Sequence, residues 1–171
     1  MVSGVRYLSH PPGTGQSDAA EEYIAALRAL PLPVTWIPLM FGTRTWGLQQ
    51  PLAPFPGRAI GGCRHDDICN AAVEYDTTIV HSTSIWNPAW DRHRDGRLIA
   101  YTTFEGDRLP AWWVRVLNRY DAVLVPSTHN VEVFRRSGLR APLRRVPHIV
   151  RPAPPRRPRW RPFPSAPTCS T

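Results

Sequence analysis

The chain contains no lysine, so all 21 of its basic residues are arginine. Guanidinium forks match phosphate oxygens, so this bias suits phosphate chemistry. A GC-rich genome produces the same bias and is the simpler explanation. Cysteine is also scarce. Cys63, Cys69 and Cys169 are too few and too irregularly spaced for a disulfide framework, which makes a reduced, cytoplasmic setting the expectation. Cys63, His65 and Cys69 do not form a C-x-x-C pair and no second pair follows, so neither a metal nor a cofactor is expected. No apolar run approaches the length of a membrane span. The opening MVSGVRYLSHPPG lacks the apolar stretch of a secretory signal.

Proline is abundant: 20 of 171 residues is more than twice ordinary usage. The net charge of +8 is unevenly spread. Residues 151–171, RPAPPRRPRWRPFPSAPTCST, hold five arginines, seven prolines and no acid. Residues 1–150 hold sixteen arginines against thirteen acids. The body is therefore only mildly basic, and no specific nucleic-acid partner is expected. Arginines interleaved with Trp160 and Phe163 could touch RNA or an acidic surface, but they also suit a solvated tail. A segment so rich in proline builds neither a helix nor a central strand. The expectation is one domain over 1–150, long enough to bury a core, followed by a disordered tail over 151–171.

Within 1–150 the periodicity alternates between strand and helix. Residues 5–9 read as a first strand, and 10–16 as a loop punctuated by proline and glycine. Ser17 or Asp18 can cap a helix that carries Ala19, Tyr23, Leu27 and Leu30 at helical spacing and stops at Pro31 and Pro33. Residues 34–37 form the next strand, which completes a β-α-β opening. Residues 38–62 read as an irregular segment, 66–73 as a weak helix and 77–81 as a buried strand. Residues 84–97 read as a polar loop bearing Trp86 and Trp90, and 98–104 as a further strand. Pro110 suits the first turn of a helix with an apolar face. Residues 122–125 are the clearest strand. Ser127 caps the following helix, where Val131 and Phe134 face inward; Gly138 ends it and 144–146 close the pattern. The fold class is α/β, a Rossmann-like parallel sheet flanked by helices.

The stretch TFEGDRLPAWWVRVLNRYDAVLVPSTHNVEVFRRSGLRAPLRRVPHIVRP, residues 103–152, resembles the N-terminal half of a glycosyltransferase of the GT-B type, close to family 4. The matching pieces are Asp107, Leu109, Pro110 and Trp113; Leu117-Asn118; Asp121 to Ser127; Ser137-Gly138; and Val146-Pro147-His148. The resemblance is looser over residues 5–100, where Pro12-Gly13-Thr14-Gly15 is similar to the first loop and His81 to the end of an inner strand. It implies one lobe of a two-lobed enzyme that moves a sugar from a nucleotide-sugar donor to a sugar or glycan acceptor. In such enzymes the N-terminal half shapes the acceptor side, and the C-terminal half grips the donor and carries paired glutamates. No such pair follows Val150, so a chain of this extent is expected to transfer little by itself. The alternative expectation is a non-catalytic binding module or an inert remnant.

The candidate cleft residues are Gly13, Thr14, Gly15, His81, Trp86, Glu105, Arg108, Ser127 and Asn130. The glycine loop either approaches a donor phosphate or is ordinary turn chemistry. His81 ends an apolar strand, where α/β proteins bind ligands, or is simply hydrogen-bonded. Glu105 and Arg108 either bind acceptor hydroxyls or pair with each other, and Asp107 caps the helix after it. Trp86 is free to stack on a sugar face, whereas Trp113 fills the core. Capping accounts for Ser127, and Asn130 sits beside it at a helix N-terminus that suits an anion.

Overall fold

The computed structural model describes residues 2–13, 15–39, 63–83 and 96–150. The expectations for Thr14, for the Trp86 loop, for most of 38–62 and for the tail after Val150 lie outside these residues. Six strands form one sheet: β1 (Val5–Ser9), β2 (Val34–Pro38), β3 (Thr77–His81), β4 (Arg97–Tyr101), β5 (Ala122–Val125) and β6 (Leu143–Arg145). Their spatial order is β2-β1-β3-β4-β5-β6, and every pairing is parallel. Among the described residues three α-helices accompany them: α1 (Gly15–Arg28), α2 (Ala111–Leu117) and α3 (Thr128–Arg136). The architecture is a Rossmann-like α/β sheet.

Helix placement follows from crossover handedness. Parallel strands are joined by right-handed crossovers, so a step to one side of the sheet puts its helix on one face and a step to the other side puts it on the opposite face. From β1 to β2 the chain steps one way; from β4 to β5 and β5 to β6 it steps the other way. Accordingly α1 packs with Val5, Tyr7, Trp36 and Tyr101, while α2 and α3 pack with Leu8, Val80, Leu98, Val123 and Val125. The two-residue side-chain period of a strand sorts these sets without exception.

The α2/α3 layer is the larger core. Leu117, Val133 and Phe134 are fully buried there. Each contributes about 1.5–3 kcal/mol relative to exposure. Trp113 is half-buried against this layer and meets Phe104 edge-on at 5.1 Å. Its neighbour Trp112 is exposed.

Several boundaries differ from the sequence expectation. Helix α1 begins at Gly15, and Ser17 is buried inside it where the sequence suggested a cap. Leu30 lies beyond its end and is exposed. The weak helix over 66–73 shortens to a 3-10 turn at Asp66–Ile68, because Cys69 leaves it to bridge Trp36 at the edge of β2. Strand β4 ends at Tyr101, and the last strand is 143–145.

Asp107 does not cap α2. Pro110 occupies the cap position, and its carbonyl accepts from the Trp113 and Val114 amides. The Asp107 carbonyl instead accepts from Arg136. The end of α3 follows the expectation. Gly138 has φ +94, its amide donates to Arg135, and the Leu139 amide donates to Phe134. This is a Schellman close, which needs a residue free to adopt positive φ. Among the described residues, no helix is long and apolar enough to cross a membrane.

Candidate functional site

The connection from β1 to β2 leaves one side of β1, and the return to β3 lands on the other. Helices on opposite faces diverge at such a switch point and leave a crevice beyond the carboxyl ends of the two strands. A cleft of about 620 Å³ lies there. His10 follows β1; His81, Ser82 and Thr83 end β3; Tyr101, Thr102 and Thr103 end β4. Gly15 and Gln16 open α1, Glu105 approaches from the β4–α2 segment, and His148 closes the wall after β6.

Strand register explains the cluster at its floor. His81 and Tyr101 are directly opposite on β3 and β4, and Ser9 is opposite His81 on β1. Two residues back from Ser9 and on the same face is Tyr7. The Tyr7 hydroxyl is 2.8 Å from His81 Nδ1, and the His81 and Tyr101 rings meet edge-on at 4.4 Å. Helix α1 lowers Tyr23 onto the group. Its hydroxyl is 2.7 Å from that of Tyr101 and 2.7 Å from the Pro147 carbonyl oxygen. Tyr101 donates to the Val146 carbonyl at 2.8 Å. These two hydroxyls hold the chain after β6 against the sheet and seat His148 at the cleft.

The electrostatics of the floor are those of neutral groups. His81 is 4% exposed. Burial, with His148 and His10 adding to it, pushes its pKa down to about 3. Burial also lowers the pKa of His10 and of His148. Burial raises Tyr7, Tyr23 and Tyr101, so all three remain phenols. Near neutral pH the cleft therefore offers uncharged donors and acceptors, together with the Glu105 carboxylate.

Of the residues singled out in the sequence, the structure brings Gly15, His81 and Glu105 to one cleft. Gly13 sits just outside, at φ +117. Glu105 and Arg108 are both exposed, and the pairing between them is absent among the described residues. Arg108 does not line the cleft.

Ser127 caps α3, accepting from the Asn130 amide at 3.1 Å. The side chain of Asn130 is a tie. It donates to the Phe104 carbonyl, and its oxygen accepts from Thr103. Both bonds anchor the segment that carries Glu105. Asn130→Ala removes them and leaves the partly buried Phe104 carbonyl without its donor. The expected cost is about 2 kcal/mol, read as a lower midpoint in urea unfolding, whereas the exposed Arg108→Ala is expected to leave that midpoint unchanged.

Sequence reasoning passed over His10, Tyr101 and His148. Tyr101 ends β4, and His10 and His148 follow the ends of β1 and β6, the rule that found His81. His65 Nε2 faces the Glu21 carbonyl oxygen at 2.9 Å, Nδ1 is 3.2 Å from Arg28, and neither Cys63 nor Cys69 is in a disulfide. Among the described residues no group of three or more His, Cys, Asp or Glu side chains is placed to hold a metal ion.

Comparison with protein-family models, with curated proteins and with solved structures finds no match to this chain.

Proposed function

We propose that this domain is the acceptor-side half of a GT-B-type glycosyltransferase, which binds a neutral polyhydroxyl ligand in the switch-point cleft. The nucleotide-sugar donor is then presented by a facing domain. The observation that carries this reading is the lining. Among the described residues, no arginine lines the cleft. Guanidinium forks are the side chains best matched to a diphosphate. Serine, threonine, tyrosine and neutral histidine beside one carboxylate suit hydroxyl groups, which both donate and accept.

The adjoining groove at the start of α1 supports the same assignment. It is lined by Asp18, Glu21 and Glu22, whose charge opposes a phosphate at that helix end. The resemblance over residues 103–152 supplies the reaction class.

Calorimetric titration tests the reading. Neutral sugars such as glucose, mannose and maltose are expected to bind weakly, in a range of about 1 mM, and Glu105→Ala is expected to abolish the heat. UDP-glucose or GDP-mannose is expected to bind no better than the sugars. Tight nucleotide-sugar binding with no sugar response would overturn the assignment. Sugar binding that never leads to transfer, even when a donor half is supplied, would identify a binding module.

A further inference from the structure

We propose that Tyr7 locks His81 in the tautomer protonated on Nε2, which makes His81 a fixed hydrogen-bond donor in the cleft and not a base. The identity of the ligand oxygen it meets rests on the functional reading above; the tautomer does not.

The Tyr7 hydroxyl and His81 Nδ1 are 2.8 Å apart, and Tyr7 is 2% exposed. Among the described residues His81 is the one hydrogen-bond partner of that hydroxyl. Two arrangements exist for one proton in the contact. If Nδ1 carried it and donated to Tyr7, the phenol's own proton would be buried with no acceptor. Removing a hydrogen-bond partner from a buried donor is unfavourable, whereas the opposite arrangement leaves only Nε2–H, on a side chain that lines the cleft, to be met by water or ligand. Tyr7 therefore donates and Nδ1 accepts. A neutral imidazole that accepts at one nitrogen carries its proton on the other. His81 stays neutral near pH 7 because burial opposes its charged form.

The ring is held in orientation as well as in protonation. Tyr101 lies edge-on at 4.4 Å, with Tyr7 at 6.0 Å and Tyr23 at 5.9 Å. Nε2 has no hydrogen-bond partner among the described residues, and the side chain lines the cleft. The cleft then has a fixed polarity: a donor at His81 and an anionic acceptor at Glu105. A ligand that presents an oxygen lone pair to the first and a hydroxyl proton to the second, as a diol does, satisfies both. A group that needs its proton removed finds no base at His81.

Long-range proton–nitrogen correlation spectra of the uniformly nitrogen-15-labelled full chain, recorded near neutral pH without ligand, test this. His81 is expected to show a protonated, pyrrole-type Nε2 and an unprotonated, pyridine-type Nδ1. In Tyr7→Phe, which keeps the ring in the core, the two nitrogen shifts are expected to converge as the tautomers mix. Protonated Nδ1 in the wild type overturns the proposal, and so does a Tyr7→Phe spectrum that still shows the pure Nε2–H form. Because no ligand is added, a failure of sugar binding leaves this result standing, and the two failures are told apart.

Discussion

Acidification from about pH 7 to about pH 4 is expected to cost the fold about 3 kcal/mol through His81 alone. Its folded pKa lies at about 3, below the ordinary value of 6.5. In the unfolded chain the imidazole takes a proton as the pH falls through 6.5; in the folded chain it resists until about 3. Between those values the unfolded state binds more protons, so stability is fully present above 6.5 and drains away as the pH falls. The slope approaches about 1.4 kcal/mol per pH unit. His10 and His148 are shifted in the same direction and add to the loss. The lowered carboxylates of Asp67 and Asp76 act in the same sense at still lower pH.

Urea unfolding of the wild type and His81→Gln at both pH values isolates the term. The variant keeps a side-chain oxygen able to accept from Tyr7 but does not titrate. Its stability at neutral pH can differ for reasons of packing, so the relevant quantity is the loss between the two pH values. That loss is expected to shrink by about 3 kcal/mol. Parallel losses in both proteins would show that His81 is already solvated, and the neutral character assigned to the cleft floor would fall with it.

The same histidine shows why part of the site was legible in the sequence and part was not. His81 ends Thr77-Thr78-Ile79-Val80, a run whose β-branching marks a buried parallel strand. Ligands gather where such strands end, so that residue could be found without coordinates. Tyr7 and Tyr101 sit in equally apolar runs, but their roles depend on which strands become neighbours. The order β2-β1-β3-β4 puts residues 7, 81 and 101 on adjacent strands and on one face. Local periodicity carries no information about strand order. Tyr23 is a plain case: its spacing from Ala19 and Leu27 marks a core-facing position, and nothing local reports that its hydroxyl reaches the Pro147 carbonyl.

Capping shows the opposite failure. Asp107 has the chemistry of a cap, but Pro110 takes the cap position three residues later, and the Leu109 amide is already met by Ser137 just after α3. A tertiary partner displaced the local one. On sequence grounds the glycine loop suits either a phosphate approach or ordinary turn chemistry, and the acidic surroundings bear on the first. With Asp18 in the first turn of α1 and Glu21 and Glu22 along the adjoining groove, its surroundings carry the wrong sign for that task.

At the far end of the strands, Gly4 and Gly96 let backbone pack on backbone. Gly96 has φ +82, and a Cβ there would lie 2.2 Å from the Asp76 carbonyl oxygen. That oxygen accepts from the Arg97 amide at 2.8 Å, the bond that starts the pairing of β4 with β3. Gly96→Ala therefore meets two penalties, an unfavourable dihedral and a collision with an atom that cannot swing aside. The expected loss is about 3 kcal/mol or more. Gly13→Ala provides the control. Gly13 also has positive φ, at +117, but among the described residues nothing lies within 4 Å of the added carbon. That variant carries the dihedral penalty alone, about 1–2 kcal/mol. Equilibrium unfolding of both, compared with the wild type, separates conformational strain from steric conflict. Equal losses would mean that the Asp76 carbonyl moves freely, and the start of β4 would then be looser than its hydrogen bonding indicates. A larger loss at Gly96 locates the rigid end of the sheet opposite the cleft, so that the ligand end is built on strands whose other ends are fixed.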